Sequence, residues 1–102
     1  MKYVSQALLE ATYKKYNKKY FGNSLPKDID LCFGHTQGDL GYQLGEEIVL
    51  NKNKAYRRDS IWKGTLLHEL VHLKVAESND HGPKFQKEML RLAKAGAFKG
   101  IW

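Results

Sequence analysis

The sequence predicts a small α+β domain: an N-terminal helix, a three-stranded antiparallel sheet, a buried helix and a C-terminal helix. Three observations predict it. Apolar and basic residues recur at helical spacing from Tyr3 to Tyr20. Short apolar alternations separated by turn residues fill Asp28 to Asn51. Two further helical patterns follow the basic connection Asn51 to Arg58. The chain has 102 residues, 42% of them hydrophobic, which suits one packed domain and little more.

The first helix carries Val4, Leu8, Leu9, Ala11, Tyr16 and Tyr20 towards one side and Lys14, Lys15, Lys18 and Lys19 towards the other. Gly22 is a natural C-cap and Pro26 a stop. Ile29, Leu31 and Phe33 alternate with Asp30 and Cys32, the pattern of a half-buried strand. Leu40, Tyr42 and Leu44 alternate again. Gly45-Glu46 turns, and Ile48-Val49-Leu50 forms a third strand. Tight turns between short strands predict an antiparallel meander. Asp59 or Ser60 then caps a helix from Ile61 to about Ala76. Leu66, Leu67, Leu70, Val71 and Leu73 surround much of its girth, so this helix is the buried one. Gly82-Pro83 opens the last helix, which buries Phe85, Met89, Leu90, Leu92 and Ala93 and closes at Gly96.

Composition narrows the function classes. No apolar run reaches the roughly 20 residues needed to span a bilayer, so no membrane association is expected. The first residues lack an apolar signal core with a small-residue cleavage site, and an intracellular location, cytoplasmic or nucleoid-associated, is expected. One cysteine, Cys32, excludes an internal disulfide and a four-cysteine zinc ribbon. It is read as an inert core thiol. Seventeen Lys+Arg against 11 Asp+Glu give a net charge of +6, which favours acidic partners, DNA first among them.

The buried helix contains His68-Glu69-Leu70-Val71-His72, an HExxH motif. Histidines four apart lie about 40° apart around a helix and can converge on one ion. Glu69, one position on, reaches a water on that ion as general base rather than ligating it. This is the arrangement for zinc-assisted hydrolysis, with the metal polarising the scissile carbonyl. Three of the four histidines fall between positions 68 and 81. His81 follows the helix break, where a chain reversal brings it to the same ion as a third ligand. Three protein ligands leave the fourth tetrahedral position for water, as in a catalytic site with one Zn2+. Glu77 and Glu88 remain open as alternatives: Glu77 is close along the same helix, and Glu88 is expected to face solvent beside Lys84 and Lys87. The metzincin pattern fails, because Val75 and Ser78 stand where it needs glycine and histidine.

His68-Glu69-Leu70-Val71-His72 followed by His81-Gly82-Pro83-Lys84-Phe85 resembles the SprT-like metalloprotease domain, a zincin whose HExxH helix is followed by HGxxF. Tyr16 to Pro26 resembles its opening helix and aromatic-Gly-x-x-Leu-Pro turn. The likeness runs from about Tyr16 to Leu92. A single SprT-like domain over 1–102 is expected, departing from longer members of the family in lacking a zinc ribbon. The likeness implies His68, His72 and His81 as zinc ligands, catalytic Glu69, and proteins as substrates, in some members proteins crosslinked to DNA. WLM and YgjP-like minimal zincins are related, but would place the third histidine near Ser78.

Other residues carry weaker signals. Lys14 to Lys19 and Lys52 to Arg58 are candidate phosphate contacts, and equally solvated surface. Trp62 is read as core, with Trp102 as either core or a stacking residue. Tyr42, Tyr56 and His35 are candidate donors to an oxyanion, each read first as structural. By analogy with such folds, where an edge strand holds substrate backbone by strand addition, the strand Ile48 to Asn51 preceding the zinc helix is expected to be that edge. The sequence is thus read as a monomeric zinc metallopeptidase. The alternative is a metal-containing adaptor that binds nucleic acid or protein without cleaving it.

Overall fold

The computed structural model describes residues 5–34, 36, 41–51, 59–75, 82–99 and 101, with Asp59 described by its backbone only. Six elements follow one another: α1 (Gln6–Tyr20), β1 (Asp30–Gly34), β2 (Gly41–Leu44), β3 (Glu47–Asn51), α2 (Asp59–Val75) and α3 (Pro83–Lys94). None of the described helices is long and apolar enough to cross a membrane.

α1 starts at Gln6 because the Ser5 side chain caps it, accepting from the Leu8 amide at 3.1 Å. Its buried stripe is Leu9, Thr12, Tyr13, Tyr16 and Asn17, whereas Leu8 is 45% exposed. The apolar stripe expected from the sequence is therefore rotated: the polar Thr12 and Asn17 lie inside. Thr12 bonds back to Leu8 O at 2.8 Å. Asn17 clamps the following loop, donating to Leu25 O at 3.1 Å and accepting from the Leu25 amide at 3.0 Å. Tyr13 donates to Pro26 O. The turn beyond α1 is therefore sewn to the helix by side chains.

The sheet has the order β1-β3-β2, with β1 parallel and β2 antiparallel to β3. The expected antiparallel meander is corrected to a mixed sheet. Ile48, Val49 and Leu50 are all buried, so β3 has two covered faces and takes the centre. β2 contributes Gly41 and Gln43 to its inner face and lacks the apolar residues for a central place. Gly45, at φ 59°, supplies the glycine-first position of a type II′ hairpin between β2 and β3. Leu31, Ile48 and Leu50 face the helices and join Leu9, Tyr13, Trp62, Leu66, Leu67 and Leu70 in one core. On the other face lie Cys32, Val49 and Tyr42 in register. Cys32 is exposed there, which corrects its reading as a core thiol; strand alternation with buried Leu31 puts it outside.

Partial desolvation, then the carboxylates of Glu47 and Asp30, raise the Cys32 thiol, so it is a poor nucleophile at neutral pH. Burial, with Glu46 adding to it, raises the Tyr13 phenol to about 12, and burial followed by Tyr20 raises Tyr16 to about 12. Unfolded tyrosine titrates near 10. These raised values favour folding below about pH 10, and that contribution is lost as pH rises towards about 12. The urea midpoint should fall across this window, and Tyr13→Phe and Tyr16→Phe should each flatten the fall. A wild-type midpoint constant across it would contradict the assignment.

Candidate metal centre

α2 is held by its own apolar girth. Trp62, Leu66, Leu67, Leu70 and Val71 are no more than 1% exposed. Trp62 packs edge-on against Phe33 of β1, at 6.2 Å between ring centroids, and is core as expected. Thr65 bonds back to Ile61 O at 2.7 Å. A Cβ built on Gly41 of β2 would lie 2.8 Å from Thr65 Cγ2 and 3.0 Å from Val49 O, so only glycine lets the strand approach this closely.

That approach organises the HExxH segment. Viewed down α2, His72 and His68 lie about 20° and 60° to one side of Thr65, and Glu69 about 40° to the other. His68 is half-buried, while Glu69 and His72 are 6% and 8% exposed. The His68 and His72 rings stand 5.0 Å apart at 74° to each other. Imidazoles sharing one zinc, with Zn–N of about 2.0–2.1 Å, have their centroids roughly 5 Å apart. The separation and the chemistry of this donor pair therefore fit such an ion. A buried carboxylate is costly unless partnered. Among the described residues no fully buried side-chain N or O atom lacks a hydrogen-bond partner, and Glu69 is not without an interaction partner.

Phe85, from the first turn of α3, closes the other side. Its ring is 5.0 Å from that of His68 and 4.5 Å from that of His72. The sequence marks Phe85 as part of HGxxF and as a buried position, but not as a neighbour of both histidines. That contact is tertiary and has no periodic signal. Gly41 was also missed; its only trace in the sequence is a glycine within a strand.

His68, Glu69 and His72 are thus brought together, whereas His81, His35, Tyr56 and Glu77 lie outside the described residues. Among the described residues no group of three His, Cys, Asp or Glu side chains could hold a metal, so Glu88 does not complete the histidine pair. Glu88 was expected to face solvent; it is half-buried instead and pairs with Arg91, which also donates to Tyr20 O at 2.7 Å. Tyr42 is on the sheet face turned away from α2, 3.5 Å from Glu47, and so does not serve as an oxyanion donor here. The strand Ile48–Asn51 is central rather than an edge, because β1 and β2 flank it.

The fold is similar to that of a solved metallopeptidase zymogen, jannalysin of Methanocaldococcus jannaschii. The TM-score is 0.55 at 21% identity, over 76% of this chain and 77% of that one. The likeness is one of fold: helices packed on a small mixed sheet. Residues 9–100 match the SprT-like family, and the chain belongs to that family, as HGxxF and the Tyr16 to Pro26 segment implied. Comparison with curated proteins found no match.

The close approach of β2 to α2 is directly testable. Gly41→Ala should destabilise the fold by about 1–3 kcal/mol through overpacking. Adding Thr65→Ser, which removes the methyl at 2.8 Å, should recover part of the loss. Urea denaturation of the two single variants and the double variant measures both. Purely additive effects would show that the methyl is not the obstacle.

Proposed function

We propose that the chain is a zinc-dependent peptidase that hydrolyses peptide bonds of DNA-associated proteins. The observation that carries this reading is the pair of imidazoles 5.0 Å apart on a buried helix, with the buried carboxylate of Glu69 between them in sequence. His68 and His72 are two ligands and His81 the third. The tether supports His81. Gly82 caps α3, and Phe85 in the first turn of α3 touches both histidine rings. His81 immediately precedes Gly82 in the chain.

When bound, zinc supplies a Lewis acid at the scissile carbonyl and lowers the pKa of water. Glu69 takes the proton of the attacking water and returns it to the leaving amine, so water and peptide yield a carboxylate and an amine without a covalent enzyme intermediate. Burial keeps the carboxylate close to that proton and away from bulk water. β2, an edge strand among the described residues, would receive an extended substrate beside the helix that carries the site.

The charge distribution supports the DNA-associated substrates. Lys14, Lys15, Lys18 and Lys19 are exposed on α1. Lys84, Lys87, Arg91 and Lys94 are exposed at steps of three and four on α3, which places them on one face. Arg91 joins the two helices through Tyr20 O and the Phe21 ring. Such stripes suit a phosphate backbone.

Protein purified without added metal should carry about one zinc per chain, weakened by His81→Ala. Glu69→Gln should retain the metal and lose about 10²–10⁴-fold in cleavage of a DNA-bound protein. Metal content and cleavage assays check both. Zinc indifferent to His81 removes that ligand. Wild-type protein that binds DNA but cleaves nothing, with Glu69→Gln behaving identically, favours the adaptor. Reversing the charge of Lys84, Lys87 and Lys94 should lower DNA affinity and its salt dependence; unchanged affinity removes DNA from the reading.

A further inference from the structure

We infer that Phe85 is a positioning residue whose ring sets the orientations of the His68 and His72 imidazoles before a metal arrives. The inference rests on the metal reading above. Three rings from two helices form a closed triangle, with centroid separations of 5.0, 5.0 and 4.5 Å. His68 meets Phe85 near edge-on at 65°, and His72 lies tilted over it at 33°. Such offset and edge-on arrangements are preferred, because the positive edge of one ring meets the negative face of another.

Phe85 is 6% exposed, whereas Lys84 and Gln86 on either side are exposed. It is therefore the residue by which the first turn of α3 docks on the HExxH face of α2. The docking matters because imidazole χ2 is a broad, roughly two-fold torsion. A histidine with an unpacked ring spends much of its time with neither nitrogen aimed at the shared point. A ring wedged against both imidazoles removes those states in the unliganded protein, and ordering already completed is not lost again on binding. Phenylalanine has no polar atom, so it does this without competing for the ring nitrogens.

The test measures metal affinity rather than catalysis. Metal-free protein is titrated with Co2+, followed by its visible absorption, and then with Zn2+ in competition. Phe85→Leu keeps an apolar side chain but removes the ring, and should weaken Co2+ binding about ten-fold, at the lower end of what partners outside the ligand set contribute. Leu92→Ala is the control for mere stability. Leu92 is fully buried on the same helix, about 10 Å further along. It should lower the melting temperature while leaving Co2+ affinity within about two-fold of wild type. Phe85→Met carries the same test if Phe85→Leu does not fold.

Weakening confined to the Phe85 variants supports the inference. Wild-type affinity in Phe85→Leu overturns it and leaves the metal reading standing. Equal weakening in Leu92→Ala also overturns it, because affinity would then follow global stability. Wild-type protein that binds neither ion overturns the metal reading, and this inference falls with it.

Discussion

The structure depends on burying one helix on nearly all sides. Trp62, Leu66, Leu67, Leu70 and Val71 are almost fully enclosed between the sheet and α3. Side chains of such a helix meet neighbours rather than water, and its polar residues must be partnered or useful. That constraint explains why β2 carries glycine at position 41, where any side chain would collide with Thr65. It also explains why α3 presents an aromatic ring, and not a polar group, at the histidines. The site is a seam left between packed elements.

Two kinds of fastening keep that seam in place. Apolar packing supplies most of the cohesion, and a few polar bonds set the register of the parts. Asn17 pins the loop after α1 through both polar groups of Leu25. Lys74, near the end of α2, reaches Ser24 at 2.9 Å, and Arg91 of α3 reaches Tyr20. All three helices are therefore tied to the same short segment between Tyr20 and Leu25. Removing such a bond inside the core leaves an unpaired group and costs more than the bond itself contributes.

The sheet distributes chemistry by face. Its inner face joins the core, and its outer face exposes Cys32, Tyr42 and Leu44 beside Asp30 and Glu47. Partial desolvation, and then these carboxylates, raise the Cys32 thiol, so the sulfur on this face is a poor nucleophile at neutral pH. Clusters of exposed lysines lie instead on α1 and α3. The paired imidazoles of His68 and His72 lie where α2 meets Phe85 of α3, away from this outer face.

By itself the sequence determined the element order, the buried helix, the HExxH spacing and the family, because these depend on local periodicity and short motifs. His68 and His72 share a side of α2 for a reason legible from helical geometry alone. Strand order was not legible in the same way. The turn at Gly45 specifies the β2–β3 hairpin, but nothing local states that β1 pairs with β3 instead of β2. The run Ile48-Val49-Leu50 was the available sign of a central strand. Tertiary structure alone decided that Leu8 is exposed while Thr12 and Asn17 are buried, Thr12 bonded back to Leu8 O and Asn17 partnered by Leu25 of the following loop. It alone brought Phe85 against both histidines and Gly41 against Thr65. Both are contacts between segments distant in the chain, set by how whole faces pack and not by the spacing of residues within one element.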